Sequence, residues 1–220
     1  MVDGPRFGEQ PLPQTVAAAA SMRRLTSLLL SLEHAHPTVD ELLARFAEWE
    51  SQLSTDAAPD PTPRIGDDPD GTRRLYLQHA FDIGAFNPCF PTYEFDQLAA
   101  DSAAGRVTFP VAYEGPPGLV HGGFLGVFFD CVVQHHNCAT DPSGMTRTMT
   151  VTYRRPVPLL TALRFDVVRN EAEGKVTSTA RLLLDDDVLC VGVVVAVVIP
   201  PERLTGFAFG SRLGGTAAPS

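Results

Sequence analysis

The residues best suited to chemistry lie in one stretch, Gly118–Asp130, GLVHGGFLGVFFD: His121, Gly122, Gly123 and Asp130. Their types suit attack on an activated carbonyl. If a helix starts at the two glycines, its first-turn amides lack intrahelical partners and carry the positive end of the helix dipole. Glycine lets a substrate approach that backbone closely. Such amides make an oxyanion hole for a carbonyl becoming tetrahedral. Asp130, beside Phe128 and Phe129, is then a general base or a nucleophile. Spacing limits the idea. Gly122 and Asp130 are eight positions apart, roughly 12 Å along a helix, too far for both to act on one carbonyl carbon. Two such helices lying antiparallel across a two-fold axis would bring the glycines of one to the aspartate of the other. A plainer reading makes Asp130 a surface residue at the edge of an apolar stripe and His-Gly-Gly a tight turn.

Around that stretch, Val120, Phe124, Leu125, Val127, Phe128, Phe129, Val132 and Val133 cover most of a helix circumference. The spacing predicts one buried helix running to about Cys138. Strand patterns lie on either side, at 74–81, 105–113, 145–153, 162–169, 175–185 and 188–199. The last, VLCVGVVVAVVI, is too short to span a bilayer and too valine-rich to favour a helix. EAEG (171–174) and DDD (185–187) read as hairpin turns, so neighbouring strands run antiparallel. In the 145–153 segment, alternation sends Thr146, Thr148, Thr150 and Thr152 to one face and Met145, Met149, Val151 and Tyr153 to the other. The sheet must wrap the helix, and a second subunit is expected to cover the exposed flank.

Residues 15–34 carry Met22, Leu25, Leu29 and Leu32 at helical spacing, and Pro37 stops that run. Thr38 and Glu41 stand at capping-box spacing before a second stripe, Leu42, Phe46, Trp49 and Leu53. The reading is a helical hairpin over 1–54, a Pro/Asp-rich linker over 55–72, a main domain over 73–205 and a tail over 206–220.

The chain has 220 residues and a net charge of −9. That charge, with no Lys/Arg cluster interleaved with aromatics, argues against nucleic acid as a partner. Cys89, Cys131, Cys138 and Cys190 form no CxxC pair. The first residues lack a basic region followed by an apolar run. The expectation is a cytoplasmic protein with reduced thiols and no membrane span. Walker, GxGxxG, HExxH and GxSxG motifs are absent from the sequence, leaving nucleotide, Rossmann, zincin and serine-hydrolase chemistry unsupported. Cys131 and His135 lie one helical turn apart with His136 and Cys138 nearby, but no second pair completes a metal site, so none is expected.

GLVHGGFLGVFFD together with TMTVTYRRPVPL resembles the hotdog-fold acyl-CoA thioesterases of the phenylacetate-pathway (PaaI) type, including the thioesterase-superfamily-member group. The matching residues are His121, Gly122, Gly123, Asp130, Tyr153, Arg155, Pro156 and Pro158, within roughly 75–200. The resemblance implies an α+β hotdog fold, an antiparallel sheet wrapped around a central helix. The N-terminal helical hairpin resembles an extension of some relatives. It further implies that Asp130 is base or nucleophile and that the Gly122 amide, with Gly123 beside it, is the oxyanion donor. Thr146 stands where relatives orient water, and His121 shapes the turn and touches substrate. Asn87, in FNPCFP, resembles a pocket-edge residue. Arg154 and Arg155 could hold the phosphates of coenzyme A, since guanidinium forks suit phosphate oxygens, or serve a strand end or dimer salt bridge.

The implied reaction is hydrolysis of an acyl-CoA or acyl carrier protein thioester by a homodimer or a dimer of dimers. It needs no cofactor beyond the coenzyme A of the substrate. Two departures keep alternatives open. Gly115 replaces an Asn that some relatives carry six residues before the histidine, and QHHNC (134–138) is bulkier and more polar than usual. A hotdog domain that binds an acyl chain without hydrolysing it, or a purely structural dimer, would also fit.

Overall fold

A computed structural model describes residues 12–56, 83–140, 144–172 and 174–198. Two N-terminal helices, α1 (Pro13–Leu30) and α2 (Pro37–Asp56), precede six strands and one central helix. The strands are β1 (Tyr93–Leu98), β2 (Ser102–Val107), β3 (Gly144–Tyr153), β4 (Leu163–Ala172), β5 (Lys175–Leu184) and β6 (Asp187–Val198), with α3 at Gly122–Thr140. They form one sheet in the order β1-β2-β4-β5-β6-β3, and every neighbouring pair is antiparallel. This is the hotdog arrangement expected from the sequence: the sheet curls around α3.

Burial follows strand alternation. Leu163, Phe165 and Val167 of β4, Val176, Ala180 and Leu182 of β5, and Cys190, Val194 and Ala196 of β6 all turn inward. Phe128 and Phe129 of α3 are 0% exposed, each contributing about 1.5–3 kcal/mol of apolar burial. Phe128 meets Phe109 and Phe165 edge-on with ring centroids 5.4 and 5.5 Å apart. Gly192 of β6 lets Phe129 in: a Cβ there would sit 2.5 Å from the Phe129 ring. Two tight turns of the sheet's second half fall in the expected segments but are shorter than read, since Glu171, Ala172 and Asp187 are strand residues. Leu184 pairs with Asp187 across Asp185–Asp186, with Asp185 at φ +53°, and Gly174 at φ +71° serves the β4–β5 turn.

Several sequence expectations need correction or lie outside the described residues, and one strand went unread. The 105–113 run is not one strand: β2 stops at Val107, and Val111–Tyr113 makes a 3₁₀ turn after Pro110. The edge strand β1 went unread because Glu94 and Asp96 break its apolar pattern. They sit on the exposed side, where Arg106 of β2 pairs with both. The linker read from residue 55 starts too early, because α2 runs to Asp56; the predicted strand at 74–81, residues 57–72 and the 206–220 tail lie outside the described residues. The helical pair is present, but Pro37 opens α2 rather than ending α1, and the cap is His36, not Thr38. The His36 ring accepts from the Thr38 amide and its carbonyl from Val39.

α1 lies against the 3₁₀ turns Ile83–Ala85 and Val111–Tyr113, with Ala19 buried and Arg23 donating to the Asn87 carbonyl at 3.1 Å. The α2 stripe stays open, with Phe46, Trp49 and Leu53 exposed. No helix among the described residues is long and apolar enough to cross a membrane. No disulfide joins Cys89, Cys131, Cys138 or Cys190 among the described residues.

Candidate active site

An open groove of about 500 Å³ lies between the first half of α3 and the inner face of β3. Gly122, Gly123 and Gly126 form part of its floor, Phe90, Val127, Met149, Val151 and Tyr153 form apolar walls, and Asp130 and Thr146 are its polar side chains.

The glycine end is fixed by local contacts. Pro116–Leu119 closes a turn in which Gly118 adopts φ +76°, so glycine is needed there, and the Gly118 amide donates to Glu114 Oε1 at 2.7 Å. The chain then returns along itself. His121 N donates to the Tyr113 carbonyl and Val120 N to the Val157 carbonyl, both at 2.9 Å. His121 caps α3: its carbonyl accepts from Phe124 and Leu125, and its Nδ1 accepts from the Gly123 amide at 3.0 Å. The Gly123 amide is therefore engaged, which narrows the expected pair of oxyanion donors. The half-buried Gly122 amide has no hydrogen-bond partner among the described residues. The Tyr153 hydroxyl donates to the Gly122 carbonyl at 2.9 Å. A Cβ at Gly122 would sit 3.2 Å from the Tyr153 ring, so the position accepts nothing larger without moving that ring.

Gly115 has a physical reason for departing from Asn. A Cβ there would lie 2.8 Å from His121 Cα and 2.9 Å from its Cβ. The Gly115 backbone is pressed against the capping histidine.

The carboxylate end is assembled from two elements. Asp130 is half-buried, sharing α3 with Phe128 and Phe129, whose rings fill the core instead of the groove. Thr146 Oγ1 donates to Asp130 Oδ1 at 2.7 Å, and Gln134 Nε2 donates to Thr146 Oγ1 at 2.5 Å. Strict alternation had put Thr146 on the face opposite Met149, and this is corrected. The β3–β6 register slips between Thr146 and Thr148, leaving Arg147 as a bulge. A bulge residue turns the strand by one position. Thr146, Met149, Val151 and Tyr153 consequently pair with Ala196, Val194, Gly192 and Cys190, the inward-facing residues of β6.

Other expected site residues lie off the groove. Asn87 is a turn-former: its Oδ1 accepts from the Cys89 amide and its carbonyl from Arg23 and Phe90. It supports Phe90, which does line the groove. Arg155 pairs with Asp187 at the start of β6, and Arg154 is exposed. Of the QHH segment, His135 turns toward β1, where the Tyr93 hydroxyl meets its Nδ1 at 3.1 Å, and His136 Nε2 meets the Ala99 carbonyl at 2.6 Å. Burial pushes both histidines below their ordinary pKa. The neighbouring His136 adds to the effect on His135, and the Ala99 carbonyl partly opposes it on His136. Cys190 beneath β3 is likewise pushed up to about 11 by burial, an inert thiol. Among the described residues no three His, Cys, Asp or Glu side chains converge on a point.

Sequence reasoning missed Phe90, Met149 and Gln134. Met149 was visible at i, i+2 and i+4 with Val151 and Tyr153, but Phe90 and Gln134 carry no local signal.

No family model matches this chain. A crystal structure described as a thioesterase superfamily protein aligns over 88% of this chain and 100% of its own, at 25% identity and TM-score 0.68. Thioesterase superfamily member 2 from Mus musculus aligns over 49% of this chain and 82% of its own, at 14% identity and TM-score 0.45. A hypothetical thioesterase protein with coenzyme A from Streptococcus pneumoniae aligns over 50% and 88%, at 14% identity and TM-score 0.47. The likeness to the first of these, a thioesterase superfamily protein, is one of the fold over most of this chain. In the first comparison it spans too much of the chain to be confined to the sheet and its central helix.

Proposed function

We propose that this chain hydrolyses an acyl-CoA thioester to the free acid and coenzyme A, as a homodimer or a dimer of dimers. One observation carries the reading: one end of an apolar groove holds an unpartnered first-turn amide at Gly122 and the other a carboxylate, Asp130, held by Thr146, so an antiparallel second copy would bring the two kinds of group together. The amide suits an oxyanion and the carboxylate suits a water or a carbonyl carbon. The 25%-identical thioesterase superfamily protein supports the same class.

The chemistry balances by either of two routes. In the first, Asp130 takes a proton from water as the water oxygen bonds to the thioester carbon, and the carbonyl oxygen gains negative charge against Gly122 N–H. Collapse breaks the C–S bond, and the departing thiolate takes the proton from Asp130. In the second, Asp130 attacks directly, expels the thiolate and forms a mixed anhydride that water then cleaves. Neither route needs a metal or redox cofactor.

Gly122 and Asp130 of one α3 stand roughly 12 Å apart, so the proposal pairs Gly122 of one copy with Asp130 of another. Exposure of Met145, Met149 and Tyr153 on β3 supports an apposed subunit along that edge. A ten-residue strand at the end of a sheet presents a row of unpaired backbone groups that a second copy can cover. An acyl carrier protein thioester is the other candidate substrate.

A second reading, a domain that binds an acyl chain without turnover, draws on Gly115, where no water-positioning side chain fits. Free-thiol release from short, long and aromatic acyl-CoAs separates the two. Turnover that falls about a hundred- to ten-thousandfold in Asp130→Asn, the range for losing a general base, supports hydrolysis. Binding of acyl-CoA without turnover by the folded wild type supports the second reading.

A further inference from the structure

We infer that Gln134 is a positioning residue for Asp130, acting through Thr146; the inference rests on the hydrolytic reading above. Gln134 follows Asp130 by one helical turn, so the two side chains leave α3 on the same face. Both reach Thr146 Oγ1 on β3, Gln134 Nε2 at 2.5 Å and Asp130 Oδ1 at 2.7 Å. The direction of this chain follows from the groups. The amide NH₂ of Gln134 only donates, and a threonine hydroxyl has one proton and two lone pairs. With one lone pair filled by Gln134, the hydroxyl proton goes to the carboxylate. An O–H to carboxylate bond of this kind is among the stronger hydrogen bonds.

The consequence is a carboxylate held by one oxygen. Asp130 Oδ1 is tied to the sheet, whereas no hydrogen bond ends on Oδ2 among the described residues. Oδ2 is the atom left for water or substrate. The neighbours of Gln134 do not share its role, because His135 and His136 turn away to Tyr93 and to the Ala99 carbonyl. The polar QHH segment is thus split between two jobs: one side chain orients the groove carboxylate and two pack on the β1 side.

Two full-length variants test the role, assayed on whichever acyl-CoA the wild type hydrolyses. Gln134→Met removes the donor at similar length and should lower kcat about tenfold. Gln134→Glu keeps the shape but accepts the hydroxyl proton, turning it away from Asp130, and should lower kcat about a hundredfold, the span expected for hydrogen bonds to a charged group. KM should stay within about twofold in both, since Gln134 itself is not among the groove-lining residues. On a Thr146→Val background, Gln134→Met should add little. A Gln134→Glu enzyme as active as wild type, a loss confined to KM, or additive losses in the double variant would each overturn the inference. The side-chain amide resonances of Gln134 give a readout independent of turnover. They should move in Thr146→Val; unmoved resonances contradict the hydrogen bond even if the protein hydrolyses nothing. A wild type without turnover whose Gln134 resonances do shift sinks the hydrolytic reading and leaves the contact standing.

Discussion

The two ends of the groove are built by different means. At the glycine end every contact is short in sequence or made by backbone: the His121 ring caps Gly123, the Gly118 turn returns the chain, and Gly115 packs on His121. The Tyr153 side chain comes from afar, and it holds a carbonyl. At the carboxylate end the contacts are side chain to side chain, from two elements whose meeting depends on a bulge at Arg147. Backbone dipoles that need no side-chain ordering are preorganised; a hydroxyl–carboxylate pair must be oriented by a third group. The first end should therefore respond to changes in backbone, the second to changes in hydrogen-bond direction.

The largest separation is expected from Gly122→Pro. Proline is tolerated at a first helical position and removes the amide proton; its Cβ also meets the Tyr153 ring at 3.2 Å, so Gly122→Ala, which keeps the amide, is the control for that contact. Thiol release should fall about a hundred- to a thousandfold, the usual loss for one oxyanion donor, with the helical circular dichroism unchanged. Full activity in this variant would remove the glycine end from the chemistry. Thr146→Val comes next. It keeps shape and frees Asp130, so kcat should drop about tenfold with KM held; a KM effect alone would make Thr146 a wall and not a support. Gly115→Asn, which restores the residue that some relatives carry, should not improve turnover. Its Cβ would press on His121 at 2.8 Å, and urea denaturation should show a loss of about 1–3 kcal/mol, as for other overpacked sites. Improved turnover at unchanged stability would contradict the packing described for that turn.

The smallest effect concerns pH and neither end of the groove. His135 and His136 are held below the ordinary histidine pKa of 6.5 by burial. The unfolded chain therefore binds more protons below pH 6.5, and stability is complete above that value and falls as pH drops through it. The urea midpoint should be lower at pH 5.5 than at pH 7.5, and His136→Gln should shrink the difference. A midpoint that rises on acidification would contradict the burial of both rings.

This contrast also explains how much the sequence disclosed. The apolar run around Phe128 and Phe129 made α3 legible, because a helix apolar on nearly all sides has to be buried. His121, Gly122 and Asp130 could be picked out because they stand together at the start of α3 and along its apolar run. The turns at Gly174 and Asp185–Asp186 were legible from composition. β1 was not, since its acidic residues belong to an edge strand and pair with Arg106. Nor was the bulge at Arg147, which breaks period-two alternation without any glycine or proline to announce it. That single slip decides whether Thr146 faces Asp130, and with it the role inferred for Gln134. Sequence periodicity reports regular elements; it is silent on one-residue irregularities that only pairing with β6 defines.

The central claim is that Gly122 of one copy and Asp130 of another act on the same carbonyl. It is tested most directly by mixing the two inactive variants, Asp130→Asn and Gly122→Pro, under conditions of subunit exchange. Random exchange gives half heterodimers, each with one intact site and one doubly impaired site, so thiol release should recover to roughly a quarter of wild type. No recovery, with heterodimers demonstrably formed, would place both groups in one site within each chain and contradict the shared groove.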